Sequence, residues 1–352
     1  MNIKIIGIGG AGLNMINAVI DSGFDPENAV YIDTSRNAAC AAKTDNFLEI
    51  GANMFKGCGS GKNQNGARVA AELAEGDILK AMKGADTIIL LAGLAGGTGG
   101  GAIPFIASLA LDYIGAKTIA VVTAPANIIT PIGTVEGKKS QERAEKALAN
   151  LRGVLDEESI HVIPTAKGTL ATMYANTDKL ALKKVKELLG DAYFNRVPRV
   201  FLGGSKVITE LTDDEKRVID EYIARECHIL VGDCRGVDTE IQRYLAERGY
   251  KRVSIYATDG IARNNIGNFK VINCPSGRTP EGRKHKDYSY YHVKDRRMLT
   301  LCDEILMFWD GKSRGSYDNL IDGIAKHKTT KAVLRPFKAI EFKNEEELRI
   351  II

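Results

Sequence analysis

The chain has 352 residues, 44% of them apolar and 26% charged, with a formal net charge of +4. That is the make-up of a folded globular protein, long enough that two domains are expected. No apolar run reaches bilayer length, and Met1 to Ile6 leads straight into a strand rather than a signal peptide, so a cytoplasmic protein without a membrane partner is expected. The six cysteines form no Cys-x-x-Cys pair and the five histidines are scattered, which predicts reduced thiols and no metal site. The first 195 residues are near charge balance, and the positive excess falls beyond them. It permits an anionic ligand in the second half without requiring nucleic acid.

Ile3 to Ile8 reads as a strand. Gly7-Ile8-Gly9-Gly10-Ala11-Gly12 follows with the G-x-G-x-x-G spacing, then a helix pattern through Val19 and Ile20. A second strand, Ala29 to Ile32, ends at Asp33, where an acid would suit the ribose of NAD. Gly57 to Asn63 is a second glycine loop opening a helix through Ala67, Ala70, Ala71 and Leu73. It fails the Walker A pattern, because Lys56 stands where a Gly is needed and Asn63 where a Ser or Thr is needed. The third loop, Gly96-Gly97-Thr98-Gly99-Gly100-Gly101, lies between the buried strand Thr87 to Ala92 and an apolar helix, Ala102 to Ile114. Glycine admits positive φ and close approach, and a following helix offers unpaired N–H groups, which together make an anion site. Five glycines in six residues exceed what a turn needs. A phosphate ligand is therefore expected over close packing alone, and three such loops suggest phosphates wrapped from several sides.

These segments resemble, over residues 1–165, the nucleotide-binding half of the tubulin/FtsZ superfamily. The resemblance rests on Gly7 to Asn14, on Gly57 to Asn63 with Gly66-Ala67-Arg68, on Gly84-Ala85-Asp86 through Ala102, and on Val121 to Asn127. It implies GTP/GDP, with or without Mg2+. Gly9, Gly10, Ala11, Gly59, Ser60, Gly96, Gly97, Thr98, Gly99 and Gly100 would lie on the phosphates. Asn14 would lie at the guanine side, Glu136 at the ribose, and Asn176, with Asp178, would be the base contact from the long central helix. The chain departs from the family in four places. Gly100 replaces the second Thr of the signature, Ile128 to Val135 looks inserted, and Ser140 stands where an Arg is expected, with Arg143 one turn on as its substitute. After Leu188-Leu189 there is one acid, Asp191, rather than the paired-acid loop through which a neighbouring subunit completes hydrolysis. A nucleotide holder that hydrolyses slowly or only with a partner is expected, since water attack needs a positioned polar group.

Asp191 to Pro198 reads as the boundary, giving a domain over 1–192, a second over 198–336 and a tail over 337–352. The second restarts a strand and helix alternation, so the fold class is α/β, two Rossmann-like domains with mainly parallel sheets. It resembles the SLOG superfamily, most closely its YspA-like branch, through Phe201 to Ser205, Gly232 to Asp238, Lys294 to Met298 and Trp309 to Ser316. That resemblance implies a nucleotide or nucleotide-derived ligand held by Gly204, Ser205, Asp233, Arg235, Gly236, Asp238, Arg296, Arg297, Gly311, Gly315 and Ser316. Arg235, Asp238, Arg296 and Arg297 are expected at helix starts on one sheet end, with an Asp–Arg network fixing the loops as the alternative. No Glu closely follows Gly315-Ser316, which weighs against the nucleotide N-glycosidase or phosphoribohydrolase activity of one SLOG branch. The basic, tyrosine-flanked loop Ser276 to Lys286 raises single-stranded DNA as a further, less favoured ligand. Trp309 and His228 are expected in the core. The leading expectation is a GTP-binding domain fused to a SLOG domain that senses or processes a nucleotide-derived ligand, in nucleotide signalling or defence by analogy. A homo-oligomer is also expected. A plain NAD-dependent reductase ranks last, for want of a Tyr-Lys or His-acid pair.

Overall fold

A computed structural model describes residues 2–125, 135–165, 170–279, 281–282, 286–335 and 338–349. The chain forms two compact units, Met1–Arg196 and Val197–Ile352.

The first unit runs β1 (Ile3–Ile8), α1 (Gly9–Asp21), β2 (Ala29–Asp33), β3 (Phe47–Glu49), α2 (Ala52–Phe55), α3 (Gln64–Leu73), α4 (Glu75–Met82), β4 (Thr87–Gly93), α5 (Thr98–Ser108), β5 (Lys117–Ala124), α6 (Val135–Arg152), β6 (Ile160–Pro164) and α7 (Leu170–Leu189). Its sheet is parallel throughout, in the order β3-β2-β1-β4-β5-β6. β1 and β4 read as unbroken apolar runs because helices cover both faces. On one face Ile6, Ile8 and Leu90 pack with Ile103 and Ile106 of α5. On the other, Ile5, Ile89 and Leu91 pack with Ile16 and Val19 of α1 and Ala181 and Val185 of α7. The order reverses between β1 and β4, which opens a crevice at their carboxyl ends.

One boundary differs from expectation. α5 begins at Thr98, four residues before Ala102, so Gly99, Gly100 and Gly101 form its first turn. Glycine is a poor helix former, but tertiary packing overrides propensity here. A Cβ on Gly99 would lie 2.8 Å from the Gly93 carbonyl oxygen; one on Gly100 would strike the Leu94 carbonyl, and one on Gly101 the Gln64 carbonyl. The helix ends in a π-helical turn, Leu109–Ile114.

The second unit runs β7 (Arg199–Gly204), α8 (Asp213–Ala224), β8 (His228–Gly232), α9 (Val237–Glu247), β9 (Val253–Thr258), β10 (Lys270–Cys274), α10 (Tyr288–Leu301), β11 (Glu304–Trp309), α11 (Arg314–Ala325), β12 (Thr329–Leu334), β13 (Lys338–Phe342) and α12 (Glu345–Arg349). Its sheet is mixed, in the order β10-β9-β8-β7-β11-β12-β13, with β13 alone antiparallel. Sequence reading ends this domain at residue 336, whereas β13 continues the sheet edge and Leu348 is fully buried beneath it. Ile350 to Ile352 lie outside the described residues. The strand order reverses between β7 and β11.

Candidate functional site

In the first unit three loops meet at the sheet reversal. Gly9 leaves β1 at φ +70, and a Cβ there would sit 2.8 Å from the Gly99 nitrogen, so the starts of α1 and α5 lie side by side. Neither helix has a side-chain N-cap hydrogen bond or an acid in its first turn. Two sets of unsatisfied N–H groups and two positive dipole ends therefore converge. Gly10 opens on empty space, with nothing within 4 Å of a Cβ, and it is exposed. Asn14, one turn on, shares that exposed face, and Ala11 beside it is half-buried.

Thr98 joins the loops. Its buried hydroxyl lies 2.8 Å from that of Thr34, after β2, and 3.3 Å from that of Ser60, after Gly59. Gly97 has no room for a Cβ because Ser60 Oγ fills the place. Gln64 donates its amide to the carbonyls of Leu94 (2.8 Å) and Gly96 (3.0 Å), and Arg143 Nε donates to that of Ala95 (2.9 Å). Arg143 thus holds the backbone of the signature loop. Glu136 lies in the first turn of α6, and its side chain is outside the described residues, as is the 126–134 stretch. Asn176 is exposed on α7. Asp178, half-buried on the same helix, has its carboxyl pushed up to about 6 by burial.

Asp33 does not face a ribose. It is buried and accepts from the Tyr31 hydroxyl and from the Thr34 nitrogen at 2.7 Å, so it holds its own loop. The glycine count also overstates the ligand's share, since Gly99, Gly100 and Gly101 are required by contacts of the chain with itself.

In the second unit the first and last glycine turns are tied by hydroxyls. Ser205 Oγ donates to Asp310 Oδ1 (2.7 Å) and lies 2.9 Å from Ser313 Oγ, which donates to Ser316 Oγ (2.8 Å). A Cβ on Gly204 would strike the Phe308 carbonyl, whereas Gly311, at φ +75, and Gly315 are open. Trp309 is in the core, and its Nε1 donates to the Ser313 carbonyl at 3.1 Å. His228 is half-buried at the start of β8 rather than in the core, and its Nε2 lies 2.9 Å from the Ser254 hydroxyl.

Asp233 is taken by Arg263, which donates through Nη2 (2.6 Å), Nε (3.1 Å) and its backbone N–H (3.0 Å) while stacking 4.2 Å over the Tyr291 ring. Burial alone would raise that carboxyl, but Arg263 and Lys294 hold it below its ordinary range. Asp238 faces a lysine rather than an arginine. Lys294, buried on α10, bonds Asp295 at 2.7 Å and lies 3.8 Å from Asp238. Burial pushes Asp238 up to about 6 against the pull of Lys294. Asp295 is also enclosed, yet Lys294 and His292 hold it at about 2. A Cβ on Gly232 would strike both Asp238 and Lys294, so that glycine makes room for the pair.

Arg296 and Arg297 are not at a helix start. They are the ninth and tenth residues of α10, roughly 12–14 Å along it at 1.5 Å per residue. Arg235 is exposed beside Gly236. In the basic loop, Arg278 pairs with Asp287 at 2.7 Å; Pro280 and residues 283–285 lie outside the described residues. Sequence reading misses Thr34, Gln64, Arg263 and the burial of Lys294. The last had a signal: Tyr290, Lys294, Met298 and Leu301 share one buried phase of α10.

A parallel sheet in this order, with helices on both faces, defines the first unit as a doubly wound α/β domain. Residues 2–167 match the model of the Tubulin/FtsZ family, GTPase domain, so this unit is a tubulin/FtsZ-like GTPase domain, which implies GTP or GDP as its ligand. Among solved structures the chain is similar to GDP-bound monomeric CetZ1 from Haloferax volcanii (18% identity, 54% of this chain and 61% of that one, TM-score 0.47). It is similar too to the empty FtsZ dimer of M. jannaschii (22% identity, 78% and 82%, TM-score 0.48) and to TubZ of Clostridium botulinum phage c-st (18% identity, 54% and 61%, TM-score 0.43). The chain thus spans 61% of the length of the CetZ1 that it matches. Among the described residues, no helix is long and apolar enough to cross a membrane.

Proposed function

We propose that the protein holds GTP or GDP in its first unit and a nucleotide-derived anion in its second, SLOG-like unit, with occupancy of one ligand biasing the chain's signalling state. The observation that carries the first half is the pair of helix starts, α1 and α5, that meet with no side-chain acceptor while Gly10 leaves the space before them open. Phosphate oxygens supply the missing acceptors. The half-buried Asp178 carboxylate, raised by burial, suits a base that offers two donors, and guanine offers N1–H and its 2-amino group. Near the loops Asp33 is engaged as above and Glu49 pairs with Arg36 at 2.7 Å. Any Mg2+ would arrive on the phosphates.

Asp191 opens a short 3-10 turn after α7 as the one acid there, which supports binding over rapid hydrolysis. The second half of the proposal rests on the Ser205–Asp310–Ser313–Ser316 relay, which shapes the start of α11, a helix without a side-chain cap or an early acid. Homo-oligomerisation belongs to the same reading. Val69 and Leu73 are exposed apolar side chains one turn apart on α3, the helix that the Ser60 loop opens.

The test is calorimetric titration with GTP and GDP. Gly10→Asp adds a side chain where there is room but sets a negative charge on the anion site. Nucleotide binding is expected to be lost in that variant and kept in Gly10→Ala. Equal affinity of the two variants would remove the proposal.

A further inference from the structure

Three successive carbonyls of the signature loop, those of Leu94, Ala95 and Gly96, are each held by a side chain from another element: Gln64 takes the first and third, and Arg143 takes the second. In a trans peptide the carbonyl and the following N–H point in opposite directions. Fixing the Gly96 carbonyl on Gln64 therefore fixes the Gly97 N–H on the other side, at the start of α5. The same amide fills the space of a side chain at position 100, where a Cβ would strike Gln64 Nε2 and the Leu94 carbonyl that Gln64 holds. Gln64 is half-buried, and its own backbone carbonyl blocks a side chain at Gly101 as well.

We propose that Gln64 is a positioning residue of the nucleotide site: its amide presets the 94–97 loop so that the first N–H groups of α5 face the phosphates before a ligand arrives, and it makes glycine at position 100 a requirement of this chain. The inference rests on the GTP reading above. Gln64 touches no phosphate itself and acts through the loop. Its donor character is what matters, because both of its partners are carbonyl oxygens. A side chain of equal size that only accepts would push the same carbonyls toward the site, while one that regained a proton would hold them again. Position 100 is coupled in the same way, since removing the Gln64 side chain frees the Leu94 carbonyl to move aside.

The experiment is titration of GTP and GDP into the wild-type chain, Gln64→Leu and Gln64→Glu, with folding followed by circular dichroism. Gln64→Leu is expected to weaken GTP binding by about tenfold, the scale of a lost hydrogen bond. Gln64→Glu is expected to weaken it at least as much at about pH 8 and to recover, relative to wild type at the same pH, as the carboxyl is protonated toward about pH 5. Gly100→Ala is expected to cost about tenfold in the wild type and less than about threefold in a Gln64→Ala background. Wild-type affinity in folded Gln64→Leu overturns the proposal, as does a Gln64→Glu defect that pH leaves unchanged. Should Gln64→Leu not fold, the Gln64→Glu titration decides alone. A wild-type chain that binds neither nucleotide overturns the GTP reading and this inference with it, whereas normal wild-type binding with unaffected variants overturns this inference only.

Discussion

Lys294→Met tests the electrostatic core of the second unit. Lys294 is 4% exposed, 2.7 Å from Asp295 and 3.8 Å from Asp238. At an effective dielectric near 20 these contacts amount to about 6 and about 4 kcal/mol of bare attraction. Burying the ammonium offsets much of that. What is measured when one partner of a buried pair is truncated is about 3–5 kcal/mol, because the remaining charge is left uncompensated. Here two carboxylates are left, so the upper part of that range is expected. With a urea slope of about 2 kcal/mol/M, the midpoint should fall by about 2 M. The chain has a single tryptophan, Trp309, buried in this unit, so its fluorescence follows the second unit without interference from the first. The loss should shrink toward about pH 4, where protonation neutralises the stranded carboxylates. Asp295→Asn added to Lys294→Met should recover about half of it. A Lys294→Met midpoint within about 0.5 M of wild type at neutral pH would refute the reasoning, because a charge so enclosed cannot be removed at no cost if it balances its neighbours.

Asp238 gives the wild type its own pH dependence. Its folded value of about 6 lies above the ordinary 3.8, so its contribution is full below about pH 4 and is lost as pH rises through about 6. Asp238→Asn should flatten the Trp309-monitored stability curve in that window, by about 3 kcal/mol, and an unchanged slope would contradict the assignment. Gly232→Ala should destabilise the second unit by about 1–3 kcal/mol, the scale of overpacked sites, while Gly315→Ala, open on all sides, should stay within about 1 kcal/mol; parallel urea melts compare them. Thr98→Val removes the hydroxyl that Thr34 and Ser60 share and should lower first-unit stability by about 1–2 kcal/mol, read by circular dichroism with Thr98→Ser as the retaining control.

What could be read from the sequence divides along a physical line. β1, β4 and β11 were legible because strands buried on both faces are apolar runs, and the three glycine loops were legible because glycine at a strand-to-helix turn is a local signal. β13 was not, because Lys338-Ala-Ile-Glu-Phe342 is an edge strand with one wet face and only five residues. Thr34, Gln64 and Arg263 act across separations of 64, 30 and 30 residues, and no local pattern marks a partner that far along the chain. Arg296 and Arg297 drew attention as cations, yet the charge the fold encloses is Lys294. Always-charged guanidinium groups suggest phosphate by type, whereas burial is decided by helix phase, and Tyr290 and Met298 set that phase.

The glycines of the signature loop answer to the chain's own packing before they answer to a ligand. A run of glycines suggests a ligand only where an added Cβ would meet that ligand, and at Gly99, Gly100 and Gly101 it would meet this chain's own carbonyls. Those three glycines would be needed in a loop that bound nothing. The case for a phosphate rests instead on donors without acceptors: two helix starts, no side-chain cap on either, no early acid, and Gly10 open before them. Unpaired donors grouped at one place are costly unless water or an anion meets them. Gln64 belongs to the same argument, because it contributes no charge to the site and still determines which way the donors point.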